Sequence, residues 1–169
     1  KFYFPITADY APYRSLQDTE FPVVGASPWQ IIGPASSVTM VREGAFVGEQ
    51  APRLQTGAGL RQRDLGVVAE RGYVGYVWAK PTGGKAEIEV SLVWGAGADE
   101  RASKRLTFKG GDYSKQTFAF TAKRGTERGA SLELRVLSGE VLLGPPSMMP
   151  ADNIHGMRRD TLALLKQLN

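Results

Sequence analysis

Two aromatic residues of this sequence, Tyr76 and Trp78, have the type and spacing of a ligand-binding pair. They lie in the run GYVGYVWAK, and because side chains alternate along a β-strand, both rings point to the same side as Lys80. Sugars stack their CH faces on exposed aromatic rings, while nearby polar groups hydrogen bond the hydroxyls. An outward orientation would make these residues a sugar-binding platform. The alternative is burial under a loop or against a neighbouring domain, where large aromatic rings commonly pack.

Four polar residues could complete such a platform if their strands lie beside it. They are Gln62, Glu89, Ser91 and Arg135. Their amide, carboxylate, hydroxyl and guanidinium groups are donors and acceptors that can hydrogen bond sugar hydroxyls. The sequence alone leaves open how far these groups lie from the two rings.

Residues that could act as catalysts are few and poorly arranged. Glu87 and Glu89 share one face of a predicted strand, about 7 Å apart from the rise per residue. A retaining glycosidase pair instead sits about 5–5.5 Å apart across a cleft. His155 is the only histidine, so it cannot form a histidine metal site, and no nucleophile suggests itself as its partner. We therefore expect no catalytic residue, no metal ligand set and no cofactor.

The composition indicates a globular chain with many turns and excludes several classes of function. The 169 residues carry a net charge of +4 without a like-charged block, so no nucleic-acid partner is expected. The absence of cysteine excludes disulfides and thiolate chemistry. No stretch approaches the ~20 apolar residues of a membrane span. The opening KFYFPITADY lacks the form of a signal peptide, and the glycine clusters lack a phosphate-binding pattern.

The elements that would hold the candidate residues are predicted to be β-strands. In KAEIEVSLVW and SLELRVL, apolar residues alternate with polar ones, as in an antiparallel sheet with one buried face. The predicted strands are 29–32, 37–42, 59–68, 72–80, 85–94, 103–109, 115–121, 131–137 and 141–143. Their number, without strand-helix-strand alternation, predicts an all-β jelly-roll sandwich. The residues expected in its core include Trp29, Trp94, Phe118 and Phe120.

The two ends of the chain differ from this central pattern. Residues 1–28 contain four prolines and are predicted to form an extended segment on the surface of the sandwich, which occupies 29–149. Residues 150–169 are predicted to form a linker and the only helix, with Asp152 or Asn153 as its cap. The apolar stripe of that helix consists of Met157, Leu164, Leu165 and Leu168.

The tail SMMPADNIHGMRRDTLALLKQLN resembles a segment of glycoside hydrolase family 51, the α-L-arabinofuranosidases. In that family the pattern SLMP-DN--G-R-D----LK-L leads into the catalytic (β/α)8 barrel. The matching residues are Ser147, Met149, Pro150, Asp152, Asn153, Gly156, Arg158, Asp160, Leu165, Lys166 and Leu168. The stretches GLRQRDLGVVAERGYVGYVWAK, KFYFP and SPWQIIG are similar to earlier segments of the family.

This resemblance implies a galactose-binding-like sandwich similar to carbohydrate-binding module families 4 and 9, with the Tyr73 side of its strand in the core. It implies a non-catalytic accessory module, because the two catalytic glutamates of the family lie on barrel strands. The implied partners are arabinose-containing polysaccharide and the barrel of the same polypeptide, of which residues 150–169 would be the first piece. A secreted or periplasmic parent enzyme fits this picture.

Two further points follow from the resemblance. A purely structural module, which docks on the barrel without binding sugar, is the alternative to a sugar-binding one. Sandwiches of this kind often hold calcium with an aspartate in the last strand, where this sequence has Gly144. Because calcium needs several carboxylate oxygens, we expect no tightly bound calcium.

Overall fold

A computed structural model describes residues 2, 4–10 and 27–168, most of which belong to β-strands. The strands are β1 (Trp29–Ile32), β2 (Val38–Val41), β3 (Ala51–Gln55), β4 (Gly59–Val67), β5 (Gly72–Pro81), β6 (Lys85–Val93), β7 (Arg101–Lys109), β8 (Ser114–Thr121), β9 (Thr126–Ser138), β10 (Glu140–Leu143) and β11 (Ser147–Pro150). Helix α1 (Arg159–Gln167) follows them, and a short 3-10 turn spans Ala35–Ser37.

Five strands form one antiparallel sheet in the order β1-β4-β9-β6-β7. Strand β6 lies between β9 and β7, so that its Leu92 is opposite Leu132 on one side and Ala102 on the other. Apolar residues alternate with more exposed polar ones along β6 and β9, as the sequence predicts. This sheet therefore has an apolar inner face and a polar outer face.

The second antiparallel sheet has six strands and is built around β5. Strand β8 pairs with one edge of β5 along residues 72–79. Strands β10 and β11 pair with its other edge one after the other, at 79–81 and 73–76. Strands β3 and β2 extend the sheet beyond β10. The run GYVGYVWAK therefore lies inside the sheet, with one face in the core and one face outward.

The two sheets pack face to face around one hydrophobic cluster. Ile88 and Val90 of one sheet and Tyr73 and Val77 of the other are at most 5% exposed. Burial of each such side chain contributes about 1.5–3 kcal/mol. The residues that the sequence assigned to the core are also buried: Trp29, Trp94, Phe118 and Phe120. The predicted fold class, an all-β sandwich with one C-terminal helix, is confirmed.

All nine predicted strands are present, eight of them with shifted ends, and the described residues contain two more, β3 and β11. Each of the two contains a proline, which argues against a strand when a short run is read from sequence. In β3 the pairing with β10 stops at Arg53, so the missing N–H of Pro52 removes no ladder hydrogen bond on that side. Strand β11 ends at Pro150, which the sequence assigned to the linker.

The C-terminal helix is shorter than its apolar stripe predicts. It begins at Arg159, and Met157 precedes it in a turn closed by a bridge to Ile154. His155 and Gly156 have φ angles of 49° and 82°, in the left-handed region that ends a right-handed helix. The prediction that Met157 belongs to the helix is therefore wrong.

The predicted caps of the helix, Asp152 and Asn153, have other roles. Asp152 accepts a 2.9 Å hydrogen bond from Arg71, which fixes the start of the tail to β5. The side-chain oxygen of Asn153 accepts a 2.9 Å hydrogen bond from the Gly156 N–H, and its amide donates to the Pro150 carbonyl at 2.8 Å. Both side chains are thus used in the turn that precedes the helix.

Part of the N-terminal segment packs into the sandwich. Phe2 and Ile6 are 7% and 5% exposed, and the Phe2 ring centroid lies 6.1 Å from that of Trp29. The rest of the prediction for residues 1–28 falls largely on 1, 3 and 11–26, which lie outside the described residues. In the described part of the chain, α1 is too short and too polar to cross a membrane.

Candidate functional site

The outer face of the six-stranded sheet carries four aromatic residues, which we call the aromatic platform: Phe46, Tyr76, Trp78 and Tyr113. Tyr76 and Trp78 come from β5, whose alternation buries Tyr73 on the opposite face. Phe46 stacks on Trp78 with ring centroids 4.8 Å apart and an angle of 28° between the ring planes. Tyr113 meets Phe46 edge-on with centroids 5.0 Å apart. Tyr76 and Trp78 therefore point outward, as predicted. Phe46 and Tyr113, which come from two loops, enlarge the aromatic surface.

Two loops hold the outer rings of the platform in place. Phe46 lies between β2 and β3, and Tyr113 lies between β7 and β8. The Tyr113 hydroxyl donates a 3.0 Å hydrogen bond to the Gly44 carbonyl, which ties the two loops together. Partial burial raises the pKa of Tyr113 to about 12, because the phenolate would lose hydration. Phe46 remains 39% exposed, so a ligand can reach its ring.

Gly144 permits the position of Trp78. Its N–H donates a 2.7 Å hydrogen bond to the Trp78 carbonyl. A Cβ atom at position 144 would lie 2.7 Å from the Trp78 Cβ, which is closer than such atoms approach in proteins. The position also lacks a carboxylate, and the described residues contain no group of three His, Asp or Glu that could hold a metal ion.

Two lysines border the platform. The ammonium of Lys115 lies 4.2 Å from the centroid of the Tyr76 ring, which is a cation–π contact. Lys80 follows Trp78 by two residues on the same face of β5 and is half-buried. Within the described residues neither lysine forms an ion pair with a carboxylate. The surface therefore combines aromatic rings with positive charge that no acidic side chain of residues 2, 4–10 and 27–168 neutralises through an ion pair.

The remaining candidate residues lie in the other sheet. Glu89 and Arg135 are opposite each other on β6 and β9, where Arg135 also donates a 3.3 Å hydrogen bond to the Gly57 carbonyl. Gln62 belongs to β4 of the same sheet. Since these strands do not neighbour β5, the condition for flanking the platform is not met. Of the seven candidates, the three on β5 share the surface of the platform, and the other four, which include Ser91 of β6, lie in the other sheet.

Charged residues on the outer face of the five-stranded sheet neutralise one another. Glu133 is 7% exposed, and its carboxylate accepts hydrogen bonds from Arg61 at 2.7 Å and from Arg101 at 3.4 Å. Arg101 also donates to the Ser91 hydroxyl at 3.0 Å, and Ser91 shares a 2.7 Å hydrogen bond with Ser103. This closed network occupies the groups that a ligand would need.

The environment of the two glutamates of β6 differs from that of a catalytic pair. Lys85 donates a 2.8 Å hydrogen bond to Glu87, and this bond lowers the pKa of Glu87. Glu89 lies 4.0 Å from Arg105. A glycosidase needs one carboxyl with a raised pKa as general acid, so the environment of Glu87 favours the opposite protonation state. His155 is exposed in the turn before α1.

A cleft of about 810 Å³ lies at the end of the sandwich, beside the tail. Its apolar lining includes Leu65, Val67, Val68, Met148 and Met149. Its polar groups are already engaged: the Tyr73 hydroxyl accepts from the Val68 N–H at 2.8 Å, and Arg158 donates to Asp160 at 3.0 Å.

Sequence reasoning does not identify Phe46 and Tyr113 as members of the platform. Both lie in irregular segments, EGAFVGEQAP and KGGDYSK, which have no hydrophobic period. The available signal is the presence of a large aromatic residue among glycines and charges, where nothing local can bury it. That signal does not say which sheet face the ring will cover.

No family model matches this chain, and no curated protein matches its sequence. Several solved structures are similar to it. A xylan-binding domain of carbohydrate-binding module family 22 aligns with a TM-score of 0.56 and 12% identity over 75% of this chain and 89% of that one. The family 22 and catalytic modules of xylanase 10B from Clostridium thermocellum, in complex with xylohexaose, give 0.56 and 13% over 72% of this chain and 26% of that one.

A family 4 carbohydrate-binding module is also similar, with a TM-score of 0.51 and 13% identity over 73% of this chain and 88% of that one. The sandwich therefore has the fold of carbohydrate-binding modules of families 22 and 4, and the predicted likeness to family 4 is confirmed. Identities this low establish the fold alone.

Proposed function

We propose that this chain is a non-catalytic carbohydrate-binding module that binds glycan on its aromatic platform. One observation carries the proposal: Phe46 and Trp78 stack on the outer face of a sheet, and Phe46 stays exposed there. Aromatic rings fixed on a rigid sheet can receive the CH face of a sugar at little entropic cost. Lys80 and Lys115 at the border supply donors for sugar oxygens.

We further propose that the glycan contains arabinose and that the module serves an α-L-arabinofuranosidase-like parent enzyme. The support is the resemblance of residues 147–168 to the segment that leads into the barrel of glycoside hydrolase family 51. The catalytic barrel of the same polypeptide would then be the second partner of the module. In this arrangement the platform holds polysaccharide near an active site that other residues supply.

Titration of the protein with arabinoxylan and arabinan fragments tests the sugar-binding proposal. We expect chemical-shift changes in NMR spectra to include the residues around Phe46, and calorimetry to give millimolar or tighter affinity. Phe46→Ala should weaken binding about tenfold, because it removes one stacking surface. The residual binding would come from Trp78 and Tyr76.

Val74→Ala is the matched control for that variant. Val74 lies on the same face of β5, outside the platform, and is 38% exposed, close to the 39% of Phe46. It should bind sugar as the wild type does. The absence of any response at millimolar ligand would refute the proposal, as would equal losses in the two variants.

A structural module that docks on the catalytic barrel is the second candidate function. The tail carries apolar side chains that the described residues leave uncovered: Ile154, Met157, Leu164, Leu165 and Leu168, which are 42–81% exposed. Exposed apolar residues on a short helix favour contact with another domain. Protection of Tyr76 and Trp78 in the full-length enzyme, together with no sugar response by either form, would favour this function.

A further inference from the structure

We infer that the aromatic platform is selective for glycans that carry a carboxylate, which in sugars means the uronic acid class. The inference rests on the proposed function, because it names the ligand of the same surface. Its basis is the pair of ammonium groups, Lys80 and Lys115, that borders the rings without an acidic partner among the described residues. A neutral glycan would leave both charges without a counterion.

Lys115 is already oriented for such a contact. Its ammonium sits 4.2 Å from the centre of the Tyr76 ring, while its side chain as a whole is exposed. The ring restricts the flexible side chain, so less conformational entropy is lost when a carboxylate binds. The register of β8 places Lys115 opposite Trp78, so the charge lies beside both outward rings of β5.

Lys80 extends the positive surface along β5. It lies opposite Leu142 of β10, a residue that is only 5% exposed, so the stem of Lys80 covers apolar surface. Its ammonium group finds no ion pair among the described residues, although Lys80 is half-buried. An ammonium group that forms no ion pair can donate charge-assisted hydrogen bonds to the carboxylate of a stacked sugar.

Two carboxylates of the six-stranded sheet and its loops, Glu140 and Asp112, have partners other than the two lysines. Glu140 accepts hydrogen bonds from Thr82 at 2.6 Å and from Gln55 at 3.1 Å, and Arg53 lies 3.8 Å from it. Asp112 accepts from the Tyr113 N–H at 2.7 Å. Neither carboxylate forms an ion pair with Lys80 or Lys115, and the exposed Glu43 and Glu49 of the loop that carries Phe46 form none with them either, so both ammonium groups remain available to a ligand.

A matched ligand pair tests the inference. The first ligand is an arabinoxylan oligosaccharide with one glucuronic acid branch, and the second is the same oligosaccharide after reduction of that carboxyl to an alcohol. We expect the acidic ligand to bind the wild type about fivefold more tightly at low salt. The difference should shrink at about 1 M salt, where the attraction is screened.

The double variant Lys80→Gln/Lys115→Gln should lose this preference and bind the acidic and the neutral ligand with equal affinity. Lys104→Gln is the matched control, since Lys104 is an exposed lysine of the five-stranded sheet, and it should keep the preference. Circular dichroism checks that each variant is folded.

Each other outcome contradicts a distinct claim. Equal affinity of the wild type for the two ligands refutes selectivity for carboxylates and leaves the proposed function standing. A preference that survives in the double variant refutes the role of Lys80 and Lys115. If neither ligand binds, the proposed function itself fails, and this inference fails with it.

Discussion

The two outer faces of the sandwich differ in how their charged side chains are paired. On the five-stranded sheet, Arg61 and Arg101 enclose the carboxylate of Glu133, which is 7% exposed. On the six-stranded sheet, aromatic rings cover the surface, and the two lysines beside them have no acidic partner among the described residues. The charged groups of one face pair with one another, whereas the two lysines of the other face form no ion pair among the described residues.

This difference indicates which face is available to a ligand. A ligand that approached Glu133 would have to break charge-assisted hydrogen bonds before it gained any, and such bonds are among the stronger ones in proteins. A ligand on the aromatic platform displaces only water from Phe46 and from the two lysines. We therefore expect changes on the five-stranded face to alter stability and changes on the six-stranded face to alter binding.

The largest expected effect comes from Gly144→Ala, which connects the platform to the stability of the fold. The added Cβ would meet the Cβ of Trp78 at 2.7 Å and its carbonyl oxygen at 3.1 Å, so Trp78 must move. We expect the free energy of unfolding to fall by about 2 kcal/mol, as for other overpacked sites. Urea denaturation measures this loss, and the stack of Phe46 on Trp78 should be disturbed in NMR spectra.

Gly83→Ala is the control for that substitution. A Cβ at Gly83 would have no heavy atom within 4 Å, and the change in stability should stay within about 0.5 kcal/mol. Equal stability of the two variants would mean that Trp78 is not fixed by Gly144. Gly144 would then not contribute to the rigid position of Trp78 in the platform.

A smaller effect is expected from Glu133→Gln on the opposite face. The neutral amide leaves Arg61 and Arg101 without a counterion, and unfolding should become easier by about 2 kcal/mol or somewhat less, because both guanidinium groups are partly exposed. Glu89→Gln, which breaks only a 4.0 Å contact with Arg105, should cost about 0.5 kcal/mol or less. A loss of sugar binding in Glu133→Gln, without unfolding, would contradict the assignment of roles to the two faces.

Much of the fold could be predicted from the sequence because one physical rule governs it. Residues such as Ile88, Val90 and Leu92 alternate with polar ones, and only a sheet with one buried face satisfies that pattern. The rule fails in β3, where Pro52 hides a strand, and at the tail, where Met157 continues the apolar stripe but lies in a turn before the helix. In both places the backbone, not the hydrophobic period, decides the structure.

The candidate site was predictable only where it lies on a strand. Tyr76, Trp78 and Lys80 follow from the alternation of β5, which fixes their common side. Strand order cannot be read from alternation, and for this reason Glu89 and Arg135 could not be assigned to a sheet in advance. Phe46 depends on where a loop folds back across the sheet, which is a long-range contact that no local pattern encodes.

The smallest expected effect concerns pH and the loop that carries Tyr113. Burial raises the pKa of this phenol from its ordinary value of 10 to about 12, so the folded protein holds the proton more tightly than the unfolded chain does. The stabilisation is fully present below pH 10 and is lost as the pH rises from 10 towards 12. Between pH 10 and 12 the free energy of unfolding of Tyr113→Phe should therefore fall less than that of the wild type. In an ultraviolet titration the variant should lack the phenolate that Tyr113 forms above pH 10 in the wild type. A wild-type titration with the same phenolate absorbance between pH 10 and 12 as that of Tyr113→Phe would show that Tyr113 is not packed in the platform, and would weaken the contrast between the two faces.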